Sequence, residues 1–390
     1  MSSEAPTLAD VVDWLLDGAP GAGSAADVIG MAGPRLVAAG LPLVRVAAFV
    51  RTLHPQFMGR RVVWLRGTPG VEISDAPYAV LTQDHYIGSP TERVFATGQE
   101  LRCRLDGTEP LEMDDMREFA ARGYTDYVML PLHFLDGNVH GVAFMTDQMG
   151  GFSEQDLADL RKVARALTRI TEILELRRTA VNLLSAYVGR GAGERILQGK
   201  VQRGDTERIR AVVWCSDMRG FSALSERLPP EDVILVLNRV FDCMVPAVEA
   251  AGGEVLKFLG DGMLAIFPFE TEAEAGPAAR RAVGAAQAAF AALDDWNAQV
   301  RPEDALAFGA ALHVGEVAFG NIGGLARIDF TCIGPAVNLA VRLEGLTSRL
   351  GRRLLFSEAI SSLLAEETRF IGSYSLRGMS EPARVYEPEG

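Results

Sequence analysis

Asp217 and Asp261 each stand at the end of an apolar run, in VVWCSDMRGFS and VLKFLGDGMLAIF. Alone, either is ordinary cap or turn material, since Asp caps helices and Asp-Gly makes tight hairpins. If the two runs pair as neighbouring strands, both carboxylates reach one edge of the sheet. Two hard oxygen ligands side by side are what divalent Mg²⁺ or Mn²⁺ uses on nucleotide phosphates. The MRGFS turn, with Phe221 and Ser222 at its end, would then offer backbone N–H groups and a helix N-terminus to those phosphates. Lys257 lies inside the second run, four residues before Asp261. A charged amine there either snorkels to solvent or meets a partner. In DFTCIGPAVNLAVRLE, Pro335 opens a helix on which Asn338 and Arg342 fall at i and i+4, so an amide and a guanidinium share one face.

The elements that must position these residues alternate. IRAVVWCSD, the VLKFLGDGMLAIF hairpin, LAFGAALHVGEVAFG and RIDFTCIG read as strands. PEDVILVLNRVFDCMVPAVEAAG, AEAGPAARRAVGAAQAAFAALDDWNAQ and PAVNLAVRLEGLTSRL read as helices. The pattern predicts an α/β (α+β) sandwich with a helix-covered sheet. Upstream, LADVVDWLL is a short amphipathic start. Leu43–Arg51 and Arg60–Arg66 read as strands, and Asp126–Thr146 as two more about an Asp-Gly-Asn turn. Ser153 then caps a long helix with Asp156 three residues on, and Leu157, Leu160, Ala164, Leu167, Thr171 and Leu174 form a seam. That seam serves either a helix lying on its own sheet or a parallel coiled coil joining two chains. Gly189–Gly204 is glycine-rich and basic without an apolar period, and reads as a hinge or connector.

The 390 residues carry 38 Lys and Arg against 51 Asp and Glu, a net charge of −13, which gives no electrostatic footing for nucleic acid or an anionic membrane. Any polyanionic ligand must be met by local cations. Cys103, Cys215, Cys243 and Cys332 are too scattered for a zinc site and too few for a disulfide framework, which suits the cytoplasm. His54, His85, His133 and His140 have no ligand spacing and read as surface or core residues. No signal peptide or membrane span is expected, because LVAAGLPLVRVAAFV is broken by Pro42 and Arg45.

Taken together and in order, VVWCSDMRGFSALSE, VLKFLGDGMLAIF and DFTCIGPAVNLAVRLE resemble the class III nucleotidyl cyclase domain of adenylyl and guanylyl cyclases, over about Arg208 to Pro388. The resemblance implies a ferredoxin-like catalytic fold working as a homodimer, with Asp217 and Asp261 binding two Mg²⁺ or Mn²⁺ ions. Lys257 and Thr331 would read the purine, Asn338 would orient the ribose, and Arg342 would stabilise charge on the α-phosphate. Arg377, in SLRGMSEP, falls where the family often has a basic residue for the terminal phosphates. Many members carry Asp where this chain has Thr331; a hydroxyl there resembles the bicarbonate-responsive subset. It both donates and accepts, so Thr331 alone does not choose a base. The Lys257 ammonium only donates, which suits N1 of adenine and opposes N1–H of guanine, so ATP is the expected substrate.

PLHFLDGNVHGVAF followed by FSEQDLADL is similar to the close of a GAF-like sensory domain, covering about Ser24 to Glu175. The expected organisation is a GAF-like regulatory domain over 1–175 answering an unknown small-molecule or protein signal, a connecting helix and hinge over 176–205, and the cyclase domain over 206–390. The alternatives are a guanylate or diguanylate cyclase and a catalytically silent cyclase-like module; the Asn338/Arg342 helix weighs against the diguanylate reading, and retention of all the site residues weighs against silence.

Overall fold

Short apolar runs alternating with helical ones organise the chain into two compact units, Met1–Leu183 and Leu184–Gly390. The computed structural model describes residues 5–83, 85–108, 110–324, 327–364 and 367–389. The first unit holds α1 (Leu8–Leu16), α2 (Ala25–Ala38), β1 (Arg45–Arg51), β2 (Phe57–Leu65), β3 (Glu72–Pro77), α3 (Pro90–Thr97), β4 (Leu101–Arg104), α4 (Asp114–Ala121), β5 (Asp126–His133), β6 (Val139–Thr146) and most of α5 (Glu154–Val188). Thr7 starts α1 through a capping box with Asp10, and the Ser24 hydroxyl accepts from the Asp27 N–H to start α2.

The six strands form one antiparallel sheet in the order β3-β2-β1-β6-β5-β4. Because successive side chains alternate in a strand, Val46, Ala48 and Val50 enter a core with α1, α2 and α5, while Ala47 enters a second core with Val94 of α3 and Met116 of α4. Gly33 lets α2 lie flat on the Trp64 ring, where a Cβ would come within 2.3 Å of a ring atom.

Of the two readings of the α5 seam, the structure realises the first. Leu157, Leu160, Ala164 and Leu167 are buried in this unit's own core, Thr171 is buried and Leu174 packs against it. Those side chains are therefore committed to the sheet and are not free to pair with a second chain. The Gly189–Gly204 stretch also differs from expectation, since α6 (Arg190–Leu197) forms within it. Ala192 is fully buried against the second unit's sheet, and a Glu254 carboxylate oxygen accepts from the Ala192 N–H at 3.2 Å, anchoring the first turn.

The second unit continues with β7 (Thr206–Met218), α7 (Phe221–Arg227), α8 (Pro230–Ala250), β8 (Glu254–Leu259), β9 (Gly262–Phe269), α9 (Glu272–Asn297), β10 (Phe308–Gly323), β11 (Ile328–Ile333), α10 (Pro335–Leu350), β12 (Leu354–Ser357), α11 (Glu358–Leu364), β13 (Thr368–Tyr374) and β14 (Ala383–Pro388). The sheet runs β13-β14-β12-β10-β7-β9-β8, with β11 added to the far half of β10. Its centre, β7-α8-β8-β9-α9-β10, is the expected ferredoxin-like unit. One face buries Val212, Trp214, Ala265 and Phe267 under α8 and an α9 whose inner stripe is almost all Ala; the other buries Ala211, Val213, Cys215, Leu264 and Ile266 with α6 and α10. Among the described residues, no helix is long and apolar enough to cross a membrane.

Candidate active site

By strand alternation Asp217 follows Val213 and Cys215 onto the α10 face of the sheet. In register it is flanked by glycine on both sides, Gly262 of β9 and Gly309 of β10. A Cβ on Gly262 would come within 2.6 Å of the Ser216 carbonyl oxygen and 3.0 Å of Asp217 Oδ1, and one on Gly309 within 2.2 Å of Thr347 Oγ1. Both absences leave room for the Asp217 carboxylate and for α10. The β8–β9 hairpin turns at Gly260, with φ of 70°, and Asp261. Its pairing with β7 is the one that two converging carboxylates require, and the Met218 N–H donates to the Asp261 carbonyl at 3.3 Å. Burial, then the Asp261 charge and a hydrogen bond with its carboxylate, raise the Asp217 carboxyl to about 6.

A third carboxylate shares this place. Glu344, half-buried on α10, is pushed up to about 7, first by burial and then by the Asp217 charge; a hydrogen bond from the Thr347 hydroxyl at 3.3 Å and the Arg219 cation oppose the rise. Sequence reasoning missed Glu344. Its signal was an acid between Leu343 and Leu346, on a helix already carrying Asn338 and Arg342. Among the described residues no three His, Cys, Asp or Glu side chains stand as a ready-made metal cage. The Asp217–Asp261 pair nevertheless fits a hard divalent ion, since two carboxylates close enough for the charge of one to raise the other are relieved by a cation, and Mg²⁺ normally keeps waters and substrate phosphates as its other ligands.

Lys257 opposes Leu264 of β9, just after an irregularity in the β8 register. Its ammonium lies 3.5 Å from the Asp329 carboxylate of β11. Asp329 and Thr331 are two apart on that strand and so share a face. The Lys257 charge is also felt at Cys332, whose thiol burial raises to about 11 in spite of it. Thr331 is 4% exposed, and its hydroxyl is buried without a hydrogen-bond partner among the described residues. Unmet buried polar groups are costly, so this one marks a place where a polar ligand atom would be welcome.

α10 buries Ala336, Ala340, Leu343 and Thr347 in steps of three and four. Asn338, exposed, and Arg342, half-buried, lie off that stripe together. The Arg342 guanidinium borders the 376–379 turn, since a Cβ on Gly378 would be 3.3 Å from it, and that turn carries the exposed Arg377. Neither arginine has an ion-pair partner among the described residues, which leaves both guanidiniums free for an anion. Phe221 packs its ring against the α8/α9 core, whereas Ser222 is exposed at the start of α7. One chain thus brings together Asp217, Asp261 and Glu344 under α10, Lys257 with Asp329 and Thr331 at β11, and Asn338 with Arg342 and Arg377 on the outer side of α10.

Residues 206–386 match the family model of the adenylate and guanylate cyclase catalytic domain. The chain is 31% identical over 195 residues to an adenylate cyclase of Anabaena cylindrica, covering 48% of this chain and 38% of that one. It is 31% identical over 192 residues to the terminal-differentiation-specific adenylate cyclase of Dictyostelium discoideum, covering 48% of this chain and 9% of that one. It therefore spans well under two thirds of the curated relatives it matches. Among solved structures, the adenylyl cyclase CyaB from P. aeruginosa is similar at 28% identity and a TM-score of 0.41, over 48% of this chain and 96% of that one. The guanylyl cyclase Cya2 is similar at 29% identity and a TM-score of 0.41, over 47% and 94%.

Proposed function

Since residues 206–386 belong to the adenylate and guanylate cyclase catalytic-domain family, we propose that this protein is an adenylate cyclase that converts ATP to 3′,5′-cyclic AMP and pyrophosphate at sites shared across a homodimer. The observation that carries the choice of base is the Lys257 ammonium 3.5 Å from Asp329, on whose strand face lies the buried Thr331 hydroxyl, unpartnered among the described residues. An ammonium donates to N1 of adenine and has nothing to offer the N1–H of guanine, and an adaptable hydroxyl beside it completes the edge.

In the reaction the ribose 3′-oxygen bonds to the α-phosphorus, the bond from that phosphorus to the β-phosphate oxygen breaks, and the hydroxyl proton is released. Asn338 would orient the ribose, and Arg342 would balance charge that grows on the α-phosphate, so the rate rests on positioning and electrostatics. Arg377 would hold the outgoing pyrophosphate end. Asp217 and Asp261 would hold two Mg²⁺ or Mn²⁺ ions, which when bound favour the 3′-alkoxide and screen the phosphates. Because Asn338 and Arg342 lie on the side of α10 away from Asp217 and Glu344, two chains would complete each site, one giving the carboxylates and the other Lys257, Thr331, Asn338 and Arg342.

We assign the first unit a GAF-like regulatory role; its six-stranded antiparallel sheet with helices on both faces supports that reading. The test of the activity is direct: purified protein is incubated with ATP or GTP and Mg²⁺ or Mn²⁺, and products are separated chromatographically. Cyclic AMP should dominate. Equal cyclic GMP would refute the base assignment, and absence of both would favour a silent module.

A further inference from the structure

Six buried side-chain polar atoms lack a hydrogen-bond partner among the described residues, and three of them, Arg51 Nε, Thr52 Oγ1 and His140 Nε2, belong to residues lining one cleft of ≈ 830 Å³ in the first unit. The clustering matters because such atoms are rare and expensive. His140 is 2% exposed and packs against Phe134, with ring centroids 3.8 Å apart and the rings tilted by 35°. Its Nδ1 accepts the Arg51 backbone N–H at 2.9 Å, so the proton of the neutral ring sits on Nε2, which is therefore a donor. Burial holds this imidazole at about 4, keeping it neutral in ordinary buffers. Thr52 is 9% exposed and contributes a hydroxyl. Arg51, whose guanidinium stacks 4.8 Å over Phe95, contributes a third N–H and has no ion-pair partner among the described residues.

The carboxylates in the same wall are already engaged. Asp136 accepts from the Asn138 N–H at 2.9 Å, Glu172 pairs with Arg169 at 2.9 Å, and Glu175 pairs with Arg178 at 2.6 Å. The unmet demand is for acceptors, near a lone cation. Around these groups the wall is apolar and solvent-facing: Leu53, Leu135, Ile173 and Leu176 are 65%, 85%, 64% and 70% exposed. Water could satisfy the donors but leaves that apolar surface uncovered.

We propose that this cleft binds a small organic carboxylate with a bulky apolar body, the carboxylate accepting from His140 Nε2, Thr52 Oγ1 and Arg51 Nε and the body lying on Leu53, Leu135, Ile173 and Leu176. The inference is independent of the cyclase reading.

It is tested on the full chain by titration calorimetry with 2-naphthoate, 4-phenylbutyrate and cyclohexanebutyrate, each against its own alcohol and ammonium analogue. At least one carboxylate should bind saturably, one per chain, and about tenfold or more tighter than its uncharged and cationic analogues. Thr52→Val, which keeps shape and removes the hydroxyl, should weaken it several-fold, and Arg51→Met about tenfold. Melting curves establish that each variant folds; should Arg51→Met fail to fold, Thr52→Val decides. No carboxylate binding below millimolar, alcohols binding as well as carboxylates, or folded variants binding like wild type would each overturn the assignment. So would occlusion of the cleft by a second chain seated on Leu135, Ile173 and Leu176, seen as a dimer that excludes every probe.

Discussion

Asp217→Asn should stabilise the metal-free catalytic unit near neutral pH while abolishing turnover. The wild-type carboxyl is raised from 3.8 to about 6 in the folded chain, first by burial and then by Asp261. Between those values the folded state holds a proton that the unfolded state has lost, so stability falls as pH rises from about 4 to about 6, and the loss is complete above that. Each pH unit of displacement corresponds to ~1.4 kcal/mol, which sets a ceiling of ~3 kcal/mol. Asp217 is only partly buried, and solvent screening reduces the figure to roughly 1 kcal/mol. For a folding unit of about 200 residues that is a gain of ~2–4 °C in Tm. The neutral amide of Asn carries no such penalty. The assay is thermal denaturation of both proteins in EDTA at pH 8 and pH 4, repeated at pH 8 with excess Mn²⁺. The variant should melt higher at pH 8 in EDTA and alike at pH 4, whereas Mn²⁺ should lift the wild type more, because only the intact pair gains the binding term RT ln(1 + [L]/Kd). A variant less stable than wild type at pH 8 in EDTA, or an equal gain at pH 4, would refute the electrostatic account of this pair.

Lys257→Glu should lower cyclic AMP formation by orders of magnitude and narrow the gap between ATP and GTP, because an acceptor then faces N1 of adenine; an unchanged ATP preference measured as kcat/KM would show that the base is read elsewhere. Asp329→Asn should act more gently: its carboxylate is 60% exposed and 3.5 Å from the ammonium, so KM for ATP should rise about threefold with kcat nearly kept. A larger fall in kcat than in affinity would assign Asp329 to the chemistry instead. Asp217→Ala and Arg342→Ala should each be nearly inactive alone, yet coexpressed in equal amounts they should recover about a quarter of wild-type activity. Half the random dimers are mixed, and each of those has one site with neither lesion; no recovery in proven mixed dimers would place a whole site within one chain.

What sequence reading reached and missed follows from which facts are local. Asp217 at a strand end, Asp261 in a Gly-Asp-Gly turn and the Asn338/Arg342 spacing are local patterns, and the ferredoxin-like order of strands and helices follows from alternation alone. Register is not local. That Asp217 lies between Gly262 and Gly309 depends on β9 and β10 docking on either side of β7, and the room those glycines make is visible only then. The seam of α5 illustrates the same limit from the other side: steps of three and four specify an apolar stripe but not its partner, and burial in the core shared with β1, β2, β5 and β6 decides it. Glu344 was hidden because an acid in a half-apolar helix reads as a solvent-side residue until α10 is laid over β7. Its placement beneath Asp217 has a physical consequence for the reaction. With Asp217 raised to about 6 beside Asp261, and Glu344 raised to about 7 close by, a divalent ion held by the Asp217–Asp261 pair would displace the Asp217 proton and favour ionisation of Glu344 in that range. Cation affinity should therefore climb as pH rises through that range, for the same reason that the empty site costs the fold stability there.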